Sequence, residues 1–200
     1  MIFDETGDSS TAHRLRLRRL LSKMRMIYAH MLEQEQDLPE SVLHLGDRVR
    51  AVARTAEAAA MDGVDLESLV LDELWVYGAY RGPVTVGGPA VLLNAKSAEF
   101  MGLAIHELAT NSIKFGALSQ PQTRLRVVWW FALTGSSRLH FEWLEDGVRM
   151  AAGSGRKIGF GSRLVTRLIV SELNGDGEML FMRDGMACTI EIPLAEALHQ

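Results

Sequence analysis

The chain has 200 residues with 48% hydrophobic and 23% charged content, ordinary globular values that allow a sizeable core in one large domain or a smaller domain with a helical appendage. Its formal net charge of −4 supplies no global basic field, so nucleic acid is not an expected partner. No apolar run reaches the roughly 18 residues of a membrane span, the start MIFDETGDSS is too acidic and polar for a signal peptide, and a single cysteine, Cys188, cannot close an internal disulfide, which fits a cytoplasmic location.

From residue 11 to about 35, Leu17, Leu21, Met24, Tyr28 and Met31 recur at spacings of three and four, which predicts a helix with one apolar face. Ser9, Ser10 and Thr11 are available N-caps. Arg14, Arg16, Arg18, Arg19, Lys23 and Arg25 crowd the same stretch, either as a solvated helix face or as a docking surface for an acidic protein. Pro39 ends this helix, and a second follows to residue 61 with Val42, Leu45, Val49, Val52, Ala56 and Ala59 on its stripe. Two helices joined by a short turn predict an antiparallel hairpin. Each stripe is a narrow seam, so pairing with a second copy into a four-helix bundle is expected.

Beyond residue 62, Asp65 is a candidate cap for a short helix over 66–77. Short strands are predicted over 84–86 and 91–93, around a turn at Gly87–Pro89. A longer helix is predicted over 97–117, with Ala98, Met101, Ile105, Leu108, Ser112 and Phe115 as its inner stripe. Residues 124–133 and 138–143 are rich in β-branched and aromatic types and predict a hairpin. Residues 147–158 predict a loop and 161–174 a helix. A last hairpin, 178–183 with 186–192, turns at Asp184–Gly185. Cys188 sits in its alternating run and reads as a small buried hydrophobe. The order predicts an α+β chain: a helical hairpin over 1–62, then helices packed on a mixed, mostly antiparallel sheet over 63–200.

Chemistry concentrates on the polar side of the 97–117 helix. Glu107, Asn111 and Lys114 lie at i, i+4 and i+7, on one face. A carboxylate, an amide and an ammonium in line suit a hydrated magnesium ion and phosphates, although such a set also occurs on ordinary polar helix faces. Glu145 stands two residues before Gly147 at a strand end. A carboxylate there can accept from an exocyclic amine such as that of adenine, with the glycine allowing close backbone approach. Gly159 and Gly161 open the next helix, where free backbone N–H groups favour a phosphate.

In that order the segments resemble the HWE subgroup of sensor histidine kinases. HELATNSIKFGALS at residues 106–119 is similar to the subgroup's N-box, His106 being its histidine. Trp143 and Glu145 match its Trp-x-Glu, and GFGSRL at 159–164 is similar to its second glycine box. The resemblance covers about residues 14–193. It implies an N-terminal antiparallel hairpin for dimerisation and phosphotransfer, followed by an α/β sandwich of the histidine kinase, gyrase and Hsp90-like ATPase type. It implies ATP and magnesium as cofactors. The site would comprise Asn111 as metal ligand, Glu107 and His106 in the catalytic part, Lys114 on phosphate, Glu145 on the adenine amine with Gly147 beneath the base, and Gly159 and Gly161 as hinges of a lid over 148–158. Its partners would be a response-regulator receiver domain and a second copy of the chain, with no nucleic acid and no membrane segment. The subgroup usually continues its Trp-x-Glu-x-Gly with a second glycine and a proline, whereas Val148 and Arg149 follow here.

The family's phosphoacceptor resembles His-Arg-x-Lys-Asn-x-Leu. His13 begins one matching register, in which Leu17 replaces the asparagine. A second register starts at Leu15 and matches the basic and apolar places, with leucine where the histidine belongs. Leu15 points about 200° away from Leu17 and so outward, as an acceptor must. The sequence therefore supports two functions: a kinase that phosphorylates His13, or a degenerate relative that docks a regulator or partner kinase. An ATPase or a kinase of another protein is a third possibility, disfavoured by the hairpin. His30, His44, His140 and His199 read as surface or structural residues.

Overall fold

Strict alternation along three strands sets the architecture. Leu139, Phe141, Trp143 and Glu145 are buried while the residues between them are less so, and Leu125, Val127 and Trp129, then Met186, Cys188, Ile190 and Ile192, repeat the pattern. A strand turns successive side chains to opposite faces, so all three bury the same face of one sheet. The computed structural model describes residues 63–75, 83–132, 137–149, 167 and 169–199. The predicted hairpin over 1–62, with His13 and Leu15, and the glycines Gly159 and Gly161 lie outside the described residues.

Strand β1 (Val64–Asp65) leads into helix α1 (Leu66–Trp75), then come β2 (Val84–Gly87) and β3 (Leu92–Leu93). Helix α2 (Ala95–Phe115) is followed by a 3-10 turn (Ala117–Ser119), β4 (Arg124–Ala132) and β5 (Arg138–Asp146). Helix α3 (Ile169–Leu173), β6 (Asp176–Phe181), β7 (Gly185–Pro193) and α4 (Leu194–Ala197) complete the described elements. The main sheet has the order β2-β4-β5-β7-β6. Only β2 and β4 run parallel; the other pairs are antiparallel, as the sequence predicts. The short strands β1 and β3 pair separately.

Helices cover the inner face. Leu66, Leu69, Val70 and Leu74 of α1, Ala98, Met101, Ala104, Ile105 and Leu108 of α2, and Ile169 and Leu173 of α3 share one core with the strands. Burying each large side chain contributes about 1.5–3 kcal/mol. The predicted cap holds in α1, where Asp65 Oδ2 accepts from the Ser68 N–H at 2.9 Å.

Helix α2 starts two residues earlier than its apolar pattern implies. Asn94 is its cap, accepting from the Ser97 N–H at 2.9 Å. The same asparagine and Ser97 Oγ both donate to the Glu196 carbonyl at 2.6 Å, which fastens the start of α2 to α4, a helix too short to leave a periodic signal in the sequence. Phe115 departs from its expected place on the inner stripe: it is 70% exposed. It is the last helical residue and lies at the edge of the stripe, about 80° round from Ile105. Strand β5 runs three residues past its predicted end, so that Glu145 is its penultimate residue, paired with Leu125 and Met186.

Candidate functional site

Helix α2 supplies the first half of the site. Glu107, Asn111 and Lys114 fall within about 60° of arc on it. Glu107 is buried, Asn111 half-buried and Lys114 exposed, so the line runs from the interior to the surface. His106 is about 100° round from Glu107 and faces elsewhere. Its Nδ1 lies 2.8 Å from Glu73 Oε2 of α1, with both side chains buried. An ionised carboxylate accepts only, so opposite one Nδ1 is the donor. The structure thus brings Glu107, Asn111 and Lys114 onto one face and places His106 in a contact that joins α1 to α2.

Strand β5 supplies the second half. Trp143 is fully buried, flanked in register by Val127 of β4 and Cys188 of β7. Glu145 is two residues on and therefore on the same face. The Trp143 indole N–H donates to Glu145 Oε1 at 3.0 Å, and the Ala117 N–H donates to Oε2 at 3.0 Å. The second bond fastens the strand motif to the chain just past the end of α2. Glycine is needed at position 116, because a Cβ there would lie 2.7 Å from the Ser112 Cα as well as against Glu145 Oε2. Glu145 is only 2% exposed, and a buried carboxylate requires such donors to offset its lost hydration.

The chain after Glu145 is held firmly. Gly147 has φ +75°, a region that side chains rarely adopt, and its N–H donates to Asp146 Oδ1 at 2.9 Å. Val148 fills the core where the family usually has glycine, and its N–H donates to the Asp184 carbonyl at 2.7 Å. The Gln120 amide grips Arg149 twice: Oε1 accepts the Arg149 N–H at 2.9 Å and Nε2 donates to the Arg149 carbonyl at 3.3 Å. The departure from the family pattern is therefore accommodated by packing and backbone bonds.

The donors fit magnesium in kind. Asn111 and Glu107 offer oxygen, which a hard cation takes, and Mg²⁺ needs only one or two protein ligands beside phosphate and water. Among the described residues no cluster of three or more His, Cys, Asp or Glu could hold a metal ion alone. Burial pushes the Cys188 thiol up to about 12, which leaves it inert as a nucleophile. His140 stacks on Trp130 with ring centroids 5.3 Å apart, on the sheet's other face.

Sequence reasoning missed Glu73, Gly116 and Gln120. Glu73 had a signal: it occupies the apolar stripe of α1 with Leu66, Leu69 and Val70, and a carboxylate on such a stripe needs a buried partner. Gly116 and Gln120 had none, because what they touch is distant in sequence.

No family model matches the chain. It is 33% identical over 170 residues to blue-light-activated histidine kinase 1 of Erythrobacter litoralis, covering 80% of this chain and 46% of that protein. It is 29% identical over 151 residues to a blue-light-activated histidine kinase of Rhizobium johnstonii, covering 74% and 43%. The chain thus spans less than half the length of these curated relatives. Among solved structures it is similar to the histidine kinase domain of an Erythrobacter litoralis blue-light-activated histidine kinase, with TM-score 0.61 and 17% identity over 92% of this chain and 95% of that one. At that identity the likeness is one of fold: an α+β histidine kinase catalytic domain.

Proposed function

The chain belongs to the histidine kinases, and from that we propose that it is the transmitter region of an HWE-type sensor kinase: it binds ATP with magnesium, phosphorylates a histidine of its own hairpin and passes the phosphoryl group to a response-regulator aspartate. The observation that carries this reading is the Ala117–Glu145 hydrogen bond. It fastens a base-reading carboxylate to the end of the helix that bears Glu107, Asn111 and Lys114, so the two ends of a nucleotide meet adjoining elements.

Phosphoryl transfer is mainly positioning and charge stabilisation. Glu145 accepts the adenine amine and Gly147 lets the base approach the backbone. Lys114 places its ammonium on phosphate oxygens, and Asn111 offers an amide oxygen to the metal. Glu107, buried beside it, orients water or the transferring group. Magnesium, when bound, neutralises phosphate charge. His106 acts through structure, by docking α2 on α1.

The proposal assigns dimerisation and phosphotransfer to residues 1–62 and ATP binding to residues 63–200. A homodimer, a receiver-domain partner and a cytoplasmic location belong to the same proposal. No helix among the described residues is long and apolar enough to cross a membrane. Incubation with γ-labelled ATP tests the reading: acid-labile label on the chain, lost in His13→Ala, supports it, and no label at any ATP concentration sinks it.

Leucine at position 15, in the acceptor slot of one register of the family motif, favours a second reading, a degenerate relative that docks a regulator through the basic stretch 14–25. Label that appears only in Leu15→His selects this reading; ordinary transfer by the unaltered chain excludes it.

A further inference from the structure

We infer that Trp143 is a positioning residue for base selection: its indole N–H fixes the Glu145 carboxylate in the orientation that accepts the 6-amino group of adenine. The inference rests on the ATP-site reading above and gives a fully buried side chain a role that acts through its neighbour Glu145.

A glutamate carboxylate is carried on three rotatable bonds and does not hold an orientation by itself. Here two donors hold it from different elements. The Ala117 N–H takes Oε2 and the Trp143 indole takes Oε1, each at 3.0 Å. A carboxylate has about four acceptor positions, so each oxygen keeps a lone pair for a ligand. The indole is a rigid donor because its own place is settled by the strand register, between Val127 and Cys188. It donates only, so it can meet Oε1 in one way, with the carboxylate oxygen accepting. Gly116 completes the seat, since any side chain there would displace Oε2. Without the indole N–H, Oε1 loses its partner while Oε2 stays tied, and the group swivels about the remaining bond.

The spacing of the Trp-x-Glu motif follows from this geometry. Residues i and i+2 of a strand share a face, which is the separation at which an indole reaches the neighbouring carboxylate. Tryptophan is required for its N–H as well as its bulk.

The test compares magnesium-loaded ATP with purine riboside 5′-triphosphate, which lacks the 6-amino group, by calorimetric binding to the full chain. The unaltered protein is expected to prefer ATP about tenfold or more, the worth of one hydrogen bond to a charged group. Trp143→Phe is expected to reduce that ratio to about two or less. Because Phe leaves a cavity, a second variant carries 3-benzothienylalanine at position 143, which keeps the indole shape and removes only the N–H; the same collapse of the ratio is expected. A purely structural role would weaken both nucleotides equally and leave the ratio intact, and that result overturns the inference. Retention of the full preference by the benzothienyl variant also overturns it while leaving the base reading in place. A ratio near one in the unaltered protein instead removes the base reading itself, and the inference with it.

Discussion

Replacing His106 with leucine removes the imidazole from a buried contact and leaves the Glu73 carboxylate behind. The contact is 2.8 Å long and its side chains are 6% and 3% exposed, so bulk water cannot readily take the histidine's place. Orphaning one member of such a pair costs about 3–5 kcal/mol when the remaining charge has no other support. Glu73 has a further interaction, which lowers the expected loss to about 2–3 kcal/mol. For a chain of this size each kcal/mol moves the midpoint by about 2–4 °C, so His106→Leu should melt roughly 4–12 °C below the unaltered protein. Thermal and urea unfolding followed by circular dichroism measure it. Glu73→Leu should cost a similar amount, and the double variant should cost less than the sum by about 1–2 kcal/mol, because the second change removes a charge already orphaned by the first. A loss below about 1 kcal/mol in the single variant, or strict additivity in the cycle, refutes the assignment of this pair as the fastening between α1 and α2.

Asn94→Ala removes the cap of α2 together with its bond to the Glu196 carbonyl, and should cost about 1–2 kcal/mol in urea unfolding. Gly147→Ala places a Cβ at φ +75° and 3.1 Å from the Gln122 carbonyl, so a loss of about 1–2 kcal/mol is expected, with weakened nucleotide binding as a second readout. Cys188 should resist thiol reagents at pH 8 in the native protein and react promptly in urea, since burial holds its pKa at about 12; rapid native labelling contradicts this. The sign of its linkage follows: a raised pKa means stability present below the ordinary value of 9.0 and lost between there and about 12, where the unfolded thiol ionises first.

Much of the fold can be read from local periodicity. The inner residues of β4, β5 and β7 alternate in the sequence as they do in the sheet, and the 3.6-residue recurrence of Ala98, Met101, Ile105 and Leu108 marks the buried side of α2. The same rule puts Glu107, Asn111 and Lys114 on one face from their spacing alone. Periodicity is a poorer guide at element ends. It shortens β5 and begins α2 late, because caps and strand termini depend on hydrogen bonds to partners that no periodicity records. Phe115 shows the complementary error: its spacing suits the stripe, yet the helix ends there and the ring stays exposed.

The Trp-x-Glu motif marks the opposite limit. That its indole and carboxylate share a strand face is a property of any strand, and follows from the sequence without reference to the rest of the molecule. So does the succession of a polar helix face and an acidic strand end followed by glycine. What these groups meet depends on tertiary packing. Glu145 finds the Ala117 N–H across 28 residues, and His106 finds Glu73 across 33. Both contacts are made where elements pack against one another. A buried polar group must be partnered, but the chain's local pattern states only that a partner is needed. Which atom fills that need is settled when sheet and helices close over the core.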